Sequence, residues 1–114
     1  LPVYACNGML NGGLHPGLTG VWAEACIIGH GGRVYEVREH NLLKEQARWE
    51  PFTGSIPRNA VDGGQEADGS TLYICRVQYN GTTYACKYRP GFRGCNYGEQ
   101  GAEYSSERFD ILTQ

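Results

Sequence analysis

With 114 residues the chain has room for one domain and one modest core, and 10 basic against 12 acidic residues leave a formal net charge of −2. That balance excludes the basic face a nucleic-acid surface needs, and no apolar run is long enough to span a bilayer. The 17 glycines and 8 tyrosines, with Val and Thr in short runs, predict many short strands joined by tight turns.

In chain order, Val3–Leu10 reads as a first strand, Asn11-Gly12 as a type I′ hairpin turn, and Leu14–Leu18 as the return strand. A Gly-rich passage, a short strand after Cys26 and a closing strand ending at Leu43 follow. Only residues 38–48 carry apolar side chains at helical spacing. The stretch Lys44–Gly69 holds Trp49, a turn at Pro51-Phe52-Thr53-Gly54, the segment Ile56–Val61 and an acidic, Gly-rich loop, Asp62–Gly69. Leu72–Tyr79, the Asn80-Gly81 turn, Thr83–Tyr88, a strand after Cys95 and a closing strand ending at Leu112 complete the chain.

The second half repeats the first. A shift of 69 positions superposes residues 1–45 on 70–114 without a gap and makes nine positions identical, among them Tyr4/Tyr73, Cys6/Cys75, Asn11/Asn80, Gly12/Gly81, Cys26/Cys95 and Tyr35/Tyr104. Chance alone gives roughly three at ordinary residue frequencies. Residues 1–43 are therefore expected to be a partial first repeat and 44–114 a complete second one, within one compact unit. The linking segment occurs once, and a first repeat without it is expected to leave a sheet edge or groove open.

The second unit carries an ordered pattern: Trp49, Ile56-Pro57-x-Asn59-Ala60-Val61, Gly63-Gly64, Asp68-Gly69, Leu72-Tyr73-x-x-Arg76, Asn80-Gly81, Lys87, Gly98, Gly101-x-Glu103 and Phe109-x-Ile111-Leu112. It resembles the DM-nine repeat, and the first unit, with His15-Pro16-Gly17 and Gly31-Gly32, is similar to the latter part of that repeat. The resemblance implies an all-β fold: a pseudo-twofold pair of repeats forming packed, sandwich-like antiparallel sheets. The functional precedent within it is the mannose-specific lectins of bivalve haemolymph. There an acid in the Gly-rich loop and a lysine on the strand after the hairpin hold sugar hydroxyls. By that template the acid falls on Glu66, one methylene longer than the family's more frequent Asp, with Asp68 and Asp62 nearby, and the lysine falls on Lys87. Leu18 stands at the lysine position of the first unit, so one intact site per chain is expected.

The chemistry agrees with that template. A carboxylate accepts two sugar hydroxyls, an ammonium donates to the paired oxygens, and such charge-assisted bonds are the stronger kind. Mannose-type glycans on microbial or cell surfaces are the expected partner, in innate defence. No cofactor is expected, nor nucleic acid or membrane insertion. A homodimer or higher oligomer is expected. The alternative reading is a structural, self-assembling repeat protein indifferent to sugar.

Other residues are read as structural. Trp49 is expected to anchor the core, Trp22 to lie either in it or on the surface, and Tyr4, Tyr73, Tyr35 and Tyr104 to pack. Arg76, inside an apolar strand, is expected to pair with an acid or cap carbonyls. The symmetry-related Cys6/Cys75 and Cys26/Cys95 are expected mostly as buried thiols, with a disulfide open but unassigned. Cys86 has Gly17 as its counterpart. Cysteine density and a start at Leu1-Pro2 point to a processed, secreted or haemolymph protein, in which Asn80-Gly81-Thr82 would be a glycosylation sequon. No metal centre is expected: there is no Cys-x-x-Cys, and Asp62 and Asp68 lack the EF-hand's closing Glu. No enzyme is expected either. His15, His30 and His40 show no nucleophile motif, and Glu66 with Glu103 offers too small a cleft for glycoside hydrolysis.

Overall fold

A computed structural model describes residues 3–20, 24–42, 48–79, 81–99 and 102–114, with side chains at all of these except Val3, Tyr79, Ala85, Cys86, Gly98 and Glu99. Within them the chain is all-β: twelve strands in one antiparallel sheet. In order they are β1 (Val3–Leu10), β2 (Gly13–Gly20), β3 (Cys26–His30), β4 (Arg33–Val37), β5 (His40–Leu42), β6 (Arg48–Pro51), β7 (Asp62–Gln65), β8 (Thr71–Tyr79), β9 (Thr82–Tyr88), β10 (Cys95–Glu99), β11 (Ala102–Ser106) and β12 (Asp110–Thr113). The helical spacing at 38–48 does not produce a helix at its described ends, which are strand at His40–Leu42 and from Arg48. Residues 43–47, where the two repeats were expected to divide, lie outside the described residues, as do Trp22 and Asn80.

The repeats have the same pairing register. Cys6 faces Gly17 as Cys75 faces Cys86, Ile28 faces Tyr35 as Tyr97 faces Tyr104, and Cys6 faces Leu42 as Cys75 faces Ile111. The two halves meet where Arg33 of β4 pairs with Ala102 of β11. Those residues are 69 positions apart, so they are each other's repeat equivalents and a local twofold passes between them. The Asn-Gly turn behaves as its chemistry requires: Asn11 and Gly12 have φ of 49° and 81°.

β7 is the correction to the expected acidic loop. Asp62–Gln65 is a strand that pairs with both β2, through Leu14↔Gln65, and β8. It thereby closes a hydrogen-bonded circuit, β2-β3-β4-β11-β10-β9-β8-β7, with β1-β5 and β12-β6 as its two branches. Two glycines make this possible. A Cβ on Gly63 would stand 2.6 Å from Ile74 Cγ1, and one on Gly64, at φ 150°, would overlap the Leu14 carbonyl. The buried Asn7 side chain of β1 donates to Gly63 O at 2.7 Å and ties the first repeat to this strand.

The second correction concerns the cysteines, four of which are bridged and not free. Cys6–Cys26 and Cys75–Cys95 each join the two strands flanking β2 or β9, with Cα separations of 6.0 and 5.9 Å. The reason is geometric: these Cα distances lie within disulfide reach, and all four sulfurs are fully buried at the two core centres. Cys86 lies on β9 between the strands its neighbours bridge, and its side chain is outside the described set.

The core is lopsided. Around Cys75–Cys95 pack Val77, Tyr88, Tyr97, Phe109 and Ile111, covered by Phe52, Ile56 and Ala60 of the linking segment. Around Cys6–Cys26, among the described residues, Ile28, Leu10 and Val37 gather. The tyrosines divide: Tyr73 packs against the second core and Tyr35 is half-buried, whereas Tyr4 and Tyr104 are exposed, contrary to the packing expected for them. Trp49 is half-buried, with the Arg76 guanidinium 4.8 Å from its ring, and Arg76 finds its acid in Asp110, at 2.6 and 3.0 Å.

Candidate functional site

The circuit brings four polar side chains from distant positions to one point. β2 supplies His15, the end of β3 supplies His30, β9 supplies Lys87, and the turn after β7 supplies Glu66. Lys87 Nζ lies 3.1 Å from His15 Nδ1 and 3.4 Å from His30 Nδ1. The imidazoles meet edge to face, 4.6 Å between centroids. Glu66 Oε1 is 4.0 Å from His15 Nδ1, and Glu66 Oε2 accepts from Arg89 Nε at 3.0 Å. The Arg89 guanidinium is held in turn over the Phe92 ring at 4.6 Å.

Each group is fixed by its backbone. Glu66 opens a turn closed by Glu66 N to Ser70 O and Gly69 N to Glu66 O, at 2.9 and 3.0 Å. Gly13 lies directly beneath the imidazole of His15; a Cβ there would stand 2.7 Å from its Nε2. His15 and Lys87 are buried, at 1% and 3% exposure, while Glu66 and His30 are half-buried, so the cluster is open to solvent on the Glu66–His30 side. Burial first, then the Lys87 ammonium and His30, push His15 down from 6.5 to about 4, against the opposing pull of Glu66. His15 is therefore neutral at physiological pH. An ammonium donating to the Nδ1 of neutral His15 leaves that ring's proton on Nε2.

Of the four expected site residues, Glu66 and Lys87 meet here, through His15. Asp62 and Asp68 do not join them. The Asp62 carboxylate accepts from Gly64 N at 3.0 Å, and Asp68, exposed, accepts from Ser70 N at 2.9 Å, which holds its carboxyl below the ordinary carboxylate range. Asp62 braces the register shift within β7, and Asp68 is a turn-forming acid. His15 and His30 were missed as site residues because His15 was read only as part of the His15-Pro16-Gly17 pattern and His30 as a residue between two glycines; that all three histidines lie in the first unit while Lys87 lies in the second was a signal left unused. The repeat equivalents of His15, His30 and Lys87 are Tyr84, Glu99 and Leu18, so the twofold does not generate a second copy of this cluster.

A separate open cleft of about 470 Å³ lies on the first repeat, lined by Gly8, Met9, Leu14, Arg38, Glu39, His40 and Asn41. His40 is the equivalent of Phe109, which in the second repeat is stacked on Phe52 at 4.6 Å. The cleft thus lies where the linking segment covers the other repeat.

The family model of the DM9 repeat matches the chain over residues 1–114. No curated protein sequence matches it.

Proposed function

The chain belongs to the DM9-repeat family, and with that premise we propose that it is a lectin for mannose-type glycans, binding through Glu66 and Lys87 at the junction of its two repeats. The observation that supports this most is the convergence of a carboxylate and an ammonium on one half-open cluster, from turn and strand positions 21 residues apart (87 − 66). Glu66 Oε1 supplies an acceptor for sugar hydroxyls. Lys87 supplies donors, and its longer bond to His30 is the one a sugar oxygen replaces. Arg89 keeps the carboxylate in place from its other oxygen. The protein acts by binding and carries out no reaction. Its two buried disulfides support an oxidising, extracellular setting, where the partners are glycans on cell or microbial surfaces.

The test is a glycan array followed by calorimetry in EDTA on the wild type and Lys87→Met. Monosaccharide affinities at such shallow sites are of about millimolar order, so the glycan is presented multivalently. Binding of mannose-type glycans, reduced at least about tenfold by Lys87→Met at an unchanged melting temperature, is the expected result. Binding that ignores the substitution moves the site elsewhere. No glycan binding leaves the second reading, self-assembly. That reading is favoured by Met9 and Leu42, each 61% exposed on β1 and the edge strand β5, and it predicts concentration-dependent oligomers unaffected by sugar.

A further inference from the structure

The donor set around Lys87 has the composition of a metal centre. His15, His30 and Glu66 each offer one ligand atom, and these atoms lie within 4.8 Å of one another. Two imidazole nitrogens, His15 Nδ1 and His30 Nδ1, already face one cation, the Lys87 ammonium, at 3.1 and 3.4 Å, the position a metal would take. Glu66 Oε1 faces the same point while Arg89 occupies Oε2. An outer contact holds the carboxylate as in metal sites, with Arg89 Nε donating to Glu66 Oε2 at 3.0 Å.

We propose that His15, His30 and Glu66 form a site for a divalent transition metal of the zinc class, and that the metal and the Lys87 ammonium occupy it in mutual exclusion. Two neutral imidazoles and one carboxylate are a borderline donor set that suits zinc, copper, nickel or cobalt, and not calcium or magnesium, which take oxygen. Zinc–nitrogen bonds are about 2.0–2.1 Å, so the ligands draw inward by about 1 Å on the space Nζ now fills. The ammonium cannot stay beside a dication there. It must swing out. The site is thereby tuned: a lysine in its centre keeps metal affinity low, and anything that withdraws the lysine raises it. This does not rest on the glycan reading, since it uses two histidines that reading does not require and is measured without sugar.

The experiment is calorimetric titration of the full chain with zinc chloride in sugar-free buffer, on wild type, Lys87→Met, His40→Gln, and Lys87→Met combined with His30→Gln. Lys87→Met is expected to bind one zinc per chain at least about tenfold tighter than wild type, because the competing cation is gone. Adding His30→Gln, a half-buried position that spares the fold, is expected to lose that gain, and His40→Gln to behave as wild type. Cobalt in place of zinc is expected to give the visible absorption of a low-coordinate nitrogen–oxygen site, and calcium to give no heat. On the wild type itself, proton NMR with added zinc is expected to perturb the ring signals of His15 and His30 and leave those of His40 sharp. Equal zinc affinity in wild type and Lys87→Met, a gain that survives His30→Gln, or wild-type spectra in which only His40 responds would each overturn the proposal.

Discussion

Gly64→Ala is expected to lower the melting temperature by more than about 10 °C. The residue has φ 150°, a region almost reserved for glycine, and an added Cβ would also overlap the Leu14 carbonyl and stand 2.8 Å from its carbon. Both are backbone atoms, so no side chain can turn aside to relieve the contact. Strain of about 1–3 kcal/mol from the dihedral adds to a clash that pushes β7 off β2. Together they give a loss of about 3–5 kcal/mol, in the range tied to a specific structural failure. Gly69→Ala is the control. It also has positive φ, 91°, but a Cβ there meets nothing within 4 Å, so only the dihedral penalty remains. Differential scanning calorimetry on the two variants separates strain from closure. Equal melting temperatures would mean that β7 does not hold the circuit shut. Because the turn after β7 carries Glu66, Gly64→Ala is also expected to weaken ligand binding even at temperatures where the chain is folded.

The second large effect is loss of either disulfide. Each closes a sequence separation of 20, for which restriction of the unfolded chain gives about 3 kcal/mol. The two bridges differ in what surrounds them. Cys75→Ala/Cys95→Ala leaves a core that still holds Tyr88, Tyr97, Phe109 and Ile111 under the cover of Phe52, so the variant is expected to melt lower but cooperatively. Cys6→Ala/Cys26→Ala removes the bridge from a cluster that, among the described residues, has Ile28 alone fully buried beside it. There the bridge supplies much of what holds β1 and β3 together across β2, and a small core cannot replace it. Hydrogen exchange in that variant is expected to rise in β1, β3 and β5 well below the global transition. Uniform exchange across both repeats in both variants would contradict this division. Melting temperatures unchanged by a reductant, with all thiols titrating, would contradict the stabilising role of the bridges altogether.

How much of this was legible in the sequence differs from feature to feature. The 69-residue shift carries the pseudo-twofold, and every described strand pairing within residues 1–43 reappears within 70–114 in the same register. It also contains the disulfides: Cys6 and Cys26 map together onto Cys75 and Cys95 at equal separation, and only Cys86 is left without a counterpart. Reading them as thiols gave too little weight to that symmetry. The strand in Asp62–Gln65 was not legible, because two consecutive glycines signal a loop by local propensity. They are strand residues here because β7 must pass closer to Leu14 and Ile74 than any Cβ permits.

The sequence by itself determined the all-β class, the duplication and the Asn11-Gly12 hairpin turn, since these depend on residue type, period and near neighbours; that Arg76 meets Asp110, 34 residues away, it left open. The tertiary structure alone decided the site. His15 and Lys87 are 72 residues apart, and His30 and Lys87 are 57 apart, and they meet because β7 brings β2 beside β8 and β9. Convergence of that kind comes from closing a sheet on itself, and no local pattern in the chain encodes it.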